Sequence, residues 1–209
     1  MPAPETAPGS VLVHPLYLAG PGSPDVTGQL TGEFGWRKPP GSAAGVLLAD
    51  RTELVTLAYE TGTGPGASRA VFTAQDAYST SPQWRAVFND LVPEEILSAF
   101  ALTMASRLDD RTDNYLERQD PPTAAQQILR NTGWREGQAD DTISFQAPDG
   151  LAIVRIAAGP DTGRVEIAAD AGLPGRTWSV LLEGRPPAMF TFAIAATLVR
   201  AAPVLRSPA

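Results

Sequence analysis

The chain has 209 residues, a net charge of −7 and no cysteine, so disulfides, thiolate metal sites and cysteine nucleophiles are excluded. A hydrophobic content of 43% is that of a globular chain long enough to bury a core. Residues 1–110 carry 12 acidic and 6 basic side chains and residues 111–209 carry 11 and 10, with no basic run for nonspecific nucleic-acid binding.

The opening MPAPETAPGS has neither the basic nor the apolar region of a secretory signal, and residues 1–10 read as a disordered tail. A short helix, SPDVTGQLTGEF, is followed by Gly35-Trp36-Arg37 and four strand-like segments. In the last of these Trp84, Ala86 and Phe88 fall on one face. A helix entered through Pro93 carries the apolar stripe Leu97, Phe100, Met104 and Leu108, with Glu94 and Glu95 at its positive end. The polar stretch DDRTDNYLERQDPP reads as a linker, placed at 111–122.

A second helix, PPTAAQQILRNT, takes Thr123 as its N-cap and Ile128 and Leu129 as its buried edge, and ends at Gly133-Trp134-Arg135. Four strand-like segments follow again. Ile143 and Phe145 alternate with polar residues, as do Val165 and Ile167, and Trp178, Val180 and Leu182 share a face. The last helix is entered through Pro187 and is apolar nearly all round. Phe190, Ile194 and Leu198 line one side, with Met189, Phe192 and Val199 on others, so the helix is buried between two units or meets a partner. Its apolar run, Ala188 to Val199, is too short to span a bilayer, and the expected location is cytoplasmic.

The two Gly-Trp-Arg triplets belong to a longer repeat. At an offset of 98, Tyr17-Leu18 falls on Tyr115-Leu116 and Pro24 on Pro122; Asp50 falls on Asp149 one residue further on. After a loop five residues shorter in the second copy, the offset of 94 matches Trp84 with Trp178, Pro93 with Pro187 and Thr103 with Thr197. All four tryptophans thus form two equivalent pairs. The expected fold is α+β: two tandem α-β-β-β-β-α repeats, 11–110 and 123–205, packed as a pseudo-twofold pair of antiparallel sheets with helices on one side.

YLAGPGSP near the start, Gly-Trp after a short helix, the Ala-Pro-Asp-Gly turn and W-x-x-x-F-x(4)-P-E-E-I-L resemble the SPDY repeat. That is an actinobacterial domain family of unknown function in which copies often occur in tandem. The resemblance covers roughly 11–108 and 115–204, with Ala147-Pro148-Asp149 in place of the Ser-Pro-Asp of the name. It implies a fold and no activity. In topology the duplicated sheet-and-helix unit also resembles the PUR and Whirly type of single-strand nucleic-acid binder, and the secretion-chaperone type of α+β fold.

Candidate chemistry is sparse. His14 is the single histidine and no G-x-S-x-G elbow exists, so no serine triad and no zinc site is expected. Gly62 to Gly66 leads into a strand rather than a helix, and reads as a hairpin connection, not a phosphate loop. Adjacent acids at Glu94-Glu95, Asp109-Asp110 and Asp140-Asp141 read as solvated charges. Arg37 and Arg135 follow equivalent tryptophans, and Arg155 and Arg164 lie on expected strands; beside exposed rings they would clamp single-stranded bases. The competing reading makes Trp36, Trp84, Trp134 and Trp178 core anchors, with Gly35 and Gly133 as left-handed helix stops.

The expectation is a non-catalytic binding or assembly module whose partner is a protein or a second copy of the chain. Single-stranded nucleic-acid binding is the alternative, and a hydrolase of unrecognised type comes third. No catalytic residue, metal, cofactor or membrane contact is assigned.

Overall fold

The computed structural model describes residues 11–19, 21, 25–40, 46–64, 67–75, 81–109, 123–157, 163–170, 177–184, 186–200 and 202–206. The expected tail, 1–10, and linker, 111–122, lie outside them. The described residues form an α+β structure of four helices and a single nine-stranded antiparallel open sheet, plus a two-stranded ribbon.

The first half contains α1 (Val26–Phe34), β2 (Val46–Ala49), β3 (Val55–Glu60), β4 (Arg69–Gln75), β5 (Pro82–Asn89) and α2 (Glu94–Asp109), after a short β1 (Val11–Val13). The second contains α3 (Thr123–Asn131), β6 (Arg135–Ala139), β7 (Thr142–Gln146), β8 (Ala152–Ala157), β9 (Val165–Asp170), β10 (Thr177–Gly184) and α4 (Ala188–Leu198), before a short β11 (Val204–Arg206). Strand order is β2-β3-β4-β5-β10-β9-β8-β7-β6, and β1 pairs with β11 apart from the main sheet.

Three features depart from the sequence expectation. One continuous sheet replaces two, because β5 and β10 pair directly, with Val87 facing Leu181. Each of these strands carries a single apolar residue, Val87 or Leu181, among polar ones on the side away from the helices, and the two face each other at the pairing. The second half has five strands rather than four, β6 being the addition. At the corresponding place in the first half, Arg37 makes only an isolated bridge to Ala49 before Lys38-Pro39-Pro40, and proline has no N–H to continue a ladder. The β1–β11 ribbon joins segments almost the whole chain apart, which no local pattern announces.

Burial alternates along the strands, and every buried alternate residue joins one core with the helices. Trp84, Ala86 and Phe88 of β5 and Trp178, Val180 and Leu182 of β10 lie on this face. Above them α2 packs on α4, α1 on α2 and α3 on α4, giving the order α1, α2, α4, α3. Phe100 and Phe190 meet at 5.1 Å between ring centroids at the α2–α4 seam, and both contact Trp84. The helices therefore cover one side of the sheet.

The glycine stops of α1 and α3 stand where the sequence puts them, whereas Thr123, expected as the N-cap of α3, is the first residue of that helix. The Asp25 carboxylate accepts from Gly28 N at 2.9 Å at the start of α1. Gly35 (φ 67°) and Gly133 (φ 83°) then take the left-handed conformation after α1 and α3. Trp36 N donates back to Leu30 O at 3.0 Å, and Trp134 N to Leu129 O at 3.1 Å. Each tryptophan enters the core while the arginine after it is exposed.

Candidate functional site

Among the described residues three places combine polar chemistry with access: the sheet face away from the helices, a cleft where the N-terminal segment crosses the second half, and an open cleft of about 420 Å³ on the helix side, to which Asp25, Gln29, Glu94, Glu95, Ser98 and Arg200 contribute. On the sheet face, register aligns a central row across the strands: Ala58, Val71, Val87, Leu181, Glu166, Arg155, Ser144 and Gly137. Beside it runs a second row containing Arg69, Asn89, Ser179, Ala168, Ile153, Gln146 and Arg135.

Arg135, Arg155 and Arg164 belong to this face in the second half, whereas Arg37 sits beyond β2 at the far edge. Five strands (β2, β3, β4, β5 and β10) separate Arg37 from β9. At ~4.8 Å per strand that is more than about 25 Å, so the four arginines do not converge. Arg155 pairs with Glu166 across the β8–β9 ladder at 3.6 Å, and Arg37 pairs with Glu53 at 3.5 Å. Arg164 stands just before β9, and its carbonyl accepts from Ala157 N at 2.9 Å. No tryptophan lies beside them on this face, since all four are buried in the core.

Val71 is only 3% exposed although it points away from the helices. Its cover can be read from the register. Glu60 and Arg85 stand at opposite diagonal corners of Val71, and they form an ion pair at 3.0 Å. The pair crosses above the valine, and the arginine stem supplies apolar cover.

On the helix side, Met189 and Val199 pack against the core, while Phe192 of α4 is 41% exposed. Glu94 and Glu95, at the start of α2, meet Arg206 at 3.8 and 2.5 Å. Arg206 also donates through Nε to Ala19 O at 3.1 Å, so it ties β11 to both the N-terminal segment and α2.

The cleft at the crossing has a volume of about 220 Å³, and His14, Tyr17, Trp134, Asp149, Leu198 and Arg200 contribute to its walls. Tyr17 crosses to the second half in a single 3-10 turn, Leu16–Leu18. Its hydroxyl donates to the Asp149 carboxylate at 2.8 Å, and its ring meets Trp134 edge-on at 5.9 Å. Its carbonyl accepts from Trp178 Nε1 at 2.7 Å. Burial first, then the bond to Asp149 and that residue's negative charge, push the Tyr17 hydroxyl well above the ordinary tyrosine range.

Asp149 also accepts from Leu151 N at 2.9 Å, as a turn aspartate does. Besides that of Tyr17, the hydroxyl in the cleft is that of Thr132, and it donates to the Ile128 and Leu129 carbonyls of α3. It is thus engaged by backbone rather than poised as a nucleophile. Among the described residues no three of His, Asp and Glu come together as a metal site, and no helix is long and apolar enough to cross a membrane.

Sequence reasoning missed the structural weight of Tyr17 and Arg206. Tyr17-Leu18 is visible as part of the repeat, but nothing local says that it serves the opposite half. The chain matches no family model, no curated protein and no solved structure.

Proposed function

We propose that the chain is a non-catalytic binding module, made of two tandem copies of one helix-sheet-helix unit, the second with an added strand, whose uncovered sheet face receives a protein partner. The register supports the duplication. An offset of 94 carries Trp84, Ala86 and Phe88 onto Trp178, Val180 and Leu182, and Val87 faces its own counterpart Leu181, as a twofold axis through the β5–β10 pair requires. The helix order α1, α2, α4, α3 is likewise preserved when the halves are exchanged. The SPDY-repeat resemblance belongs to the same proposal, because that family occurs as tandem copies.

The observation that carries the binding reading is the one-sidedness of the sheet. Nine strands at ~4.8 Å make a face about 40 Å wide, and with strands ~20 Å long it offers roughly 800 Å², one side of a standard protein interface. Val87 and Leu181 lie half-buried at its middle, with Ile153 and Ala168 beside them. The face carries Arg69, Arg85, Arg135, Arg155 and Arg164 against Glu60, Glu166, Asp170 and Glu183, with Arg85 and Arg155 paired to Glu60 and Glu166, so its net positive charge is small. With the tryptophans in the core, base stacking has no platform there, and a protein is favoured over single-stranded nucleic acid.

The test compares partners captured by the wild type, by Leu181→Glu on the open face and by Phe192→Glu on α4, with folding checked by circular dichroism. A protein held by the wild type and Phe192→Glu but released by Leu181→Glu supports the reading. If Leu181→Glu retains every partner, the reading is wrong. So it is if a labelled single strand binds in low salt and loses affinity with Arg155→Ala.

A further inference from the structure

The two halves hold equivalent hollows that differ in volume. One, of about 20 Å³, borders Phe34, Trp36, Arg51, Thr52 and Ala105; the other is the 220 Å³ cleft beside Thr132, Trp134, Pro148, Asp149 and Val199. Backbone hydrogen bonds fix the correspondence. Asp50 N donates to Val55 O and Glu53 N to Asp50 O, as Ala147 N does to Ala152 O and Gly150 N to Ala147 O. Glu53 (φ 60°) and Gly150 (φ 79°) are both left-handed. In space the turns therefore match at an offset of 97, which puts Asp149 on Thr52 and Pro148 on Arg51. The match of Asp50 with Asp149 expected from sequence is two residues out.

What fills the first hollow is absent from the second. Arg51 crosses Gly35, its Nε and Nη2 2.9 Å from where a Cβ would stand, and Phe34 adds an aromatic ring. Over Gly133 nothing lies within 4 Å of such a Cβ, and the equivalents of Phe34 and Arg51 are the smaller Thr132 and Pro148. Two positions also gain a charge in the open cleft. Asp149 stands in place of Thr52, and Arg200, at the offset of 94, in place of Ser106. Each Asp149 oxygen accepts one hydrogen bond, from Tyr17 Oη or Leu151 N, and keeps a second lone pair. The Arg200 guanidinium is exposed and has no partner among the described residues, neither Asp149 nor the acids of the helix-side cleft.

We propose that this cleft binds a small zwitterion, an α-amino acid with an apolar side chain, whose ammonium group meets Asp149 and whose carboxylate meets Arg200. Opposite charges that border one cleft without pairing are satisfied together by a ligand carrying both. Trp134, Leu198 and Val199 give its side chain an apolar wall. A volume of about 220 Å³ falls below the ~300–1,000 Å³ of drug-sized sites, which limits the ligand to a single amino acid. The comparison between halves rests on the tandem-repeat reading, but the site needs no partner on the open face. Failure of the Leu181 capture experiment therefore leaves it standing.

The experiment titrates the chain with L-leucine and L-phenylalanine and follows amide and indole shifts by nuclear magnetic resonance. Saturable shifts are expected at Gly133-Trp134 and from Leu198 to Arg200, and none at Gly35-Trp36. Leucine stripped of its amino group (4-methylpentanoate) or of its carboxylate (3-methylbutylamine) binds about tenfold or more weakly, the equivalent of one lost charge-assisted bond. Asp149→Asn, which keeps an acceptor for Tyr17, weakens leucine to the level of 4-methylpentanoate and leaves that analogue unaffected. Arg200→Gln does the same for leucine against 3-methylbutylamine. No saturable shift at millimolar amino acid overturns the proposal, as does equal affinity for leucine and either analogue. Variants that weaken every probe alike also overturn it, because that pattern reports a loosened fold rather than a lost charge.

Discussion

Replacing Trp178 by phenylalanine removes a buried hydrogen bond through which the N-terminal segment is held to the sheet core. The indole is completely buried, so its replacement leaves a void of about 40 Å³, and at ~24 cal/mol per Å³ this costs about 1 kcal/mol. Lost transfer energy of the missing ring atoms adds about 1 kcal/mol. The Tyr17 carbonyl, deprived of its donor in a place water does not reach, adds about 1–3 kcal/mol. The expected loss is about 3–5 kcal/mol, a large share of the ~5–15 kcal/mol typical of a folded domain. Urea unfolding followed by far-ultraviolet circular dichroism measures it without depending on tryptophan fluorescence. A loss of about 2 kcal/mol or less would refute the reasoning, since the void and the transfer energy alone account for that much. It would mean that the carbonyl finds another donor and that the crossing segment is not anchored by this bond.

Two further outcomes follow from the same geometry. Because burial and Asp149 raise the Tyr17 hydroxyl above its ordinary value of 10.0, ionisation favours the unfolded chain. That contribution to stability is complete below about pH 10 and is lost as the pH rises through the higher folded value, and Tyr17→Phe should flatten this alkaline decline in urea titrations. Two left-handed glycines should respond unequally to alanine. At Gly133 (φ 83°) nothing lies within 4 Å of an added Cβ, so the cost is the conformational one, about 1 kcal/mol. At Gly184 (φ 81°) the Cβ would stand 2.4 Å from the Gln83 carbonyl oxygen and 2.9 Å from Trp84 Cα, both backbone, so Gly184→Ala should cost at least about 2 kcal/mol more. Equal melting temperatures for the two variants would show that β5 and β10 separate without cost at that end.

Much of the fold is legible in local pattern. The period of two at Ile143 and Phe145, the alternation through Trp84, Ala86 and Phe88, and the glycines after α1 and α3 each announce their element. The direct pairing of β5 with β10 has a fainter signal, in Val87 and Leu181 inserted between buried neighbours. The strand β6 has none, because REGQA is exposed on both sides and offers no apolar alternation. The arginines could be placed on strands from sequence, but their cross-strand carboxylates depend on register, which a single strand does not encode. Tyr17 and Arg206 act on elements more than a hundred positions away, so their partners could be found only in three dimensions.

The two ends of the sheet are unlike, and that limits how it can be extended. Beyond β2 the ladder ends in the single Arg37 bridge and Lys38-Pro39-Pro40, where an incoming strand would meet no N–H from the prolines. The outer edge of β6 carries no such block among the described residues. Head-to-tail stacking of the nine-stranded sheet into a fibre needs a receptive edge at each end, and among the described residues that sheet offers one. Edge pairing between copies through this sheet is then restricted to β6 against β6, a contact that uses itself up after two chains.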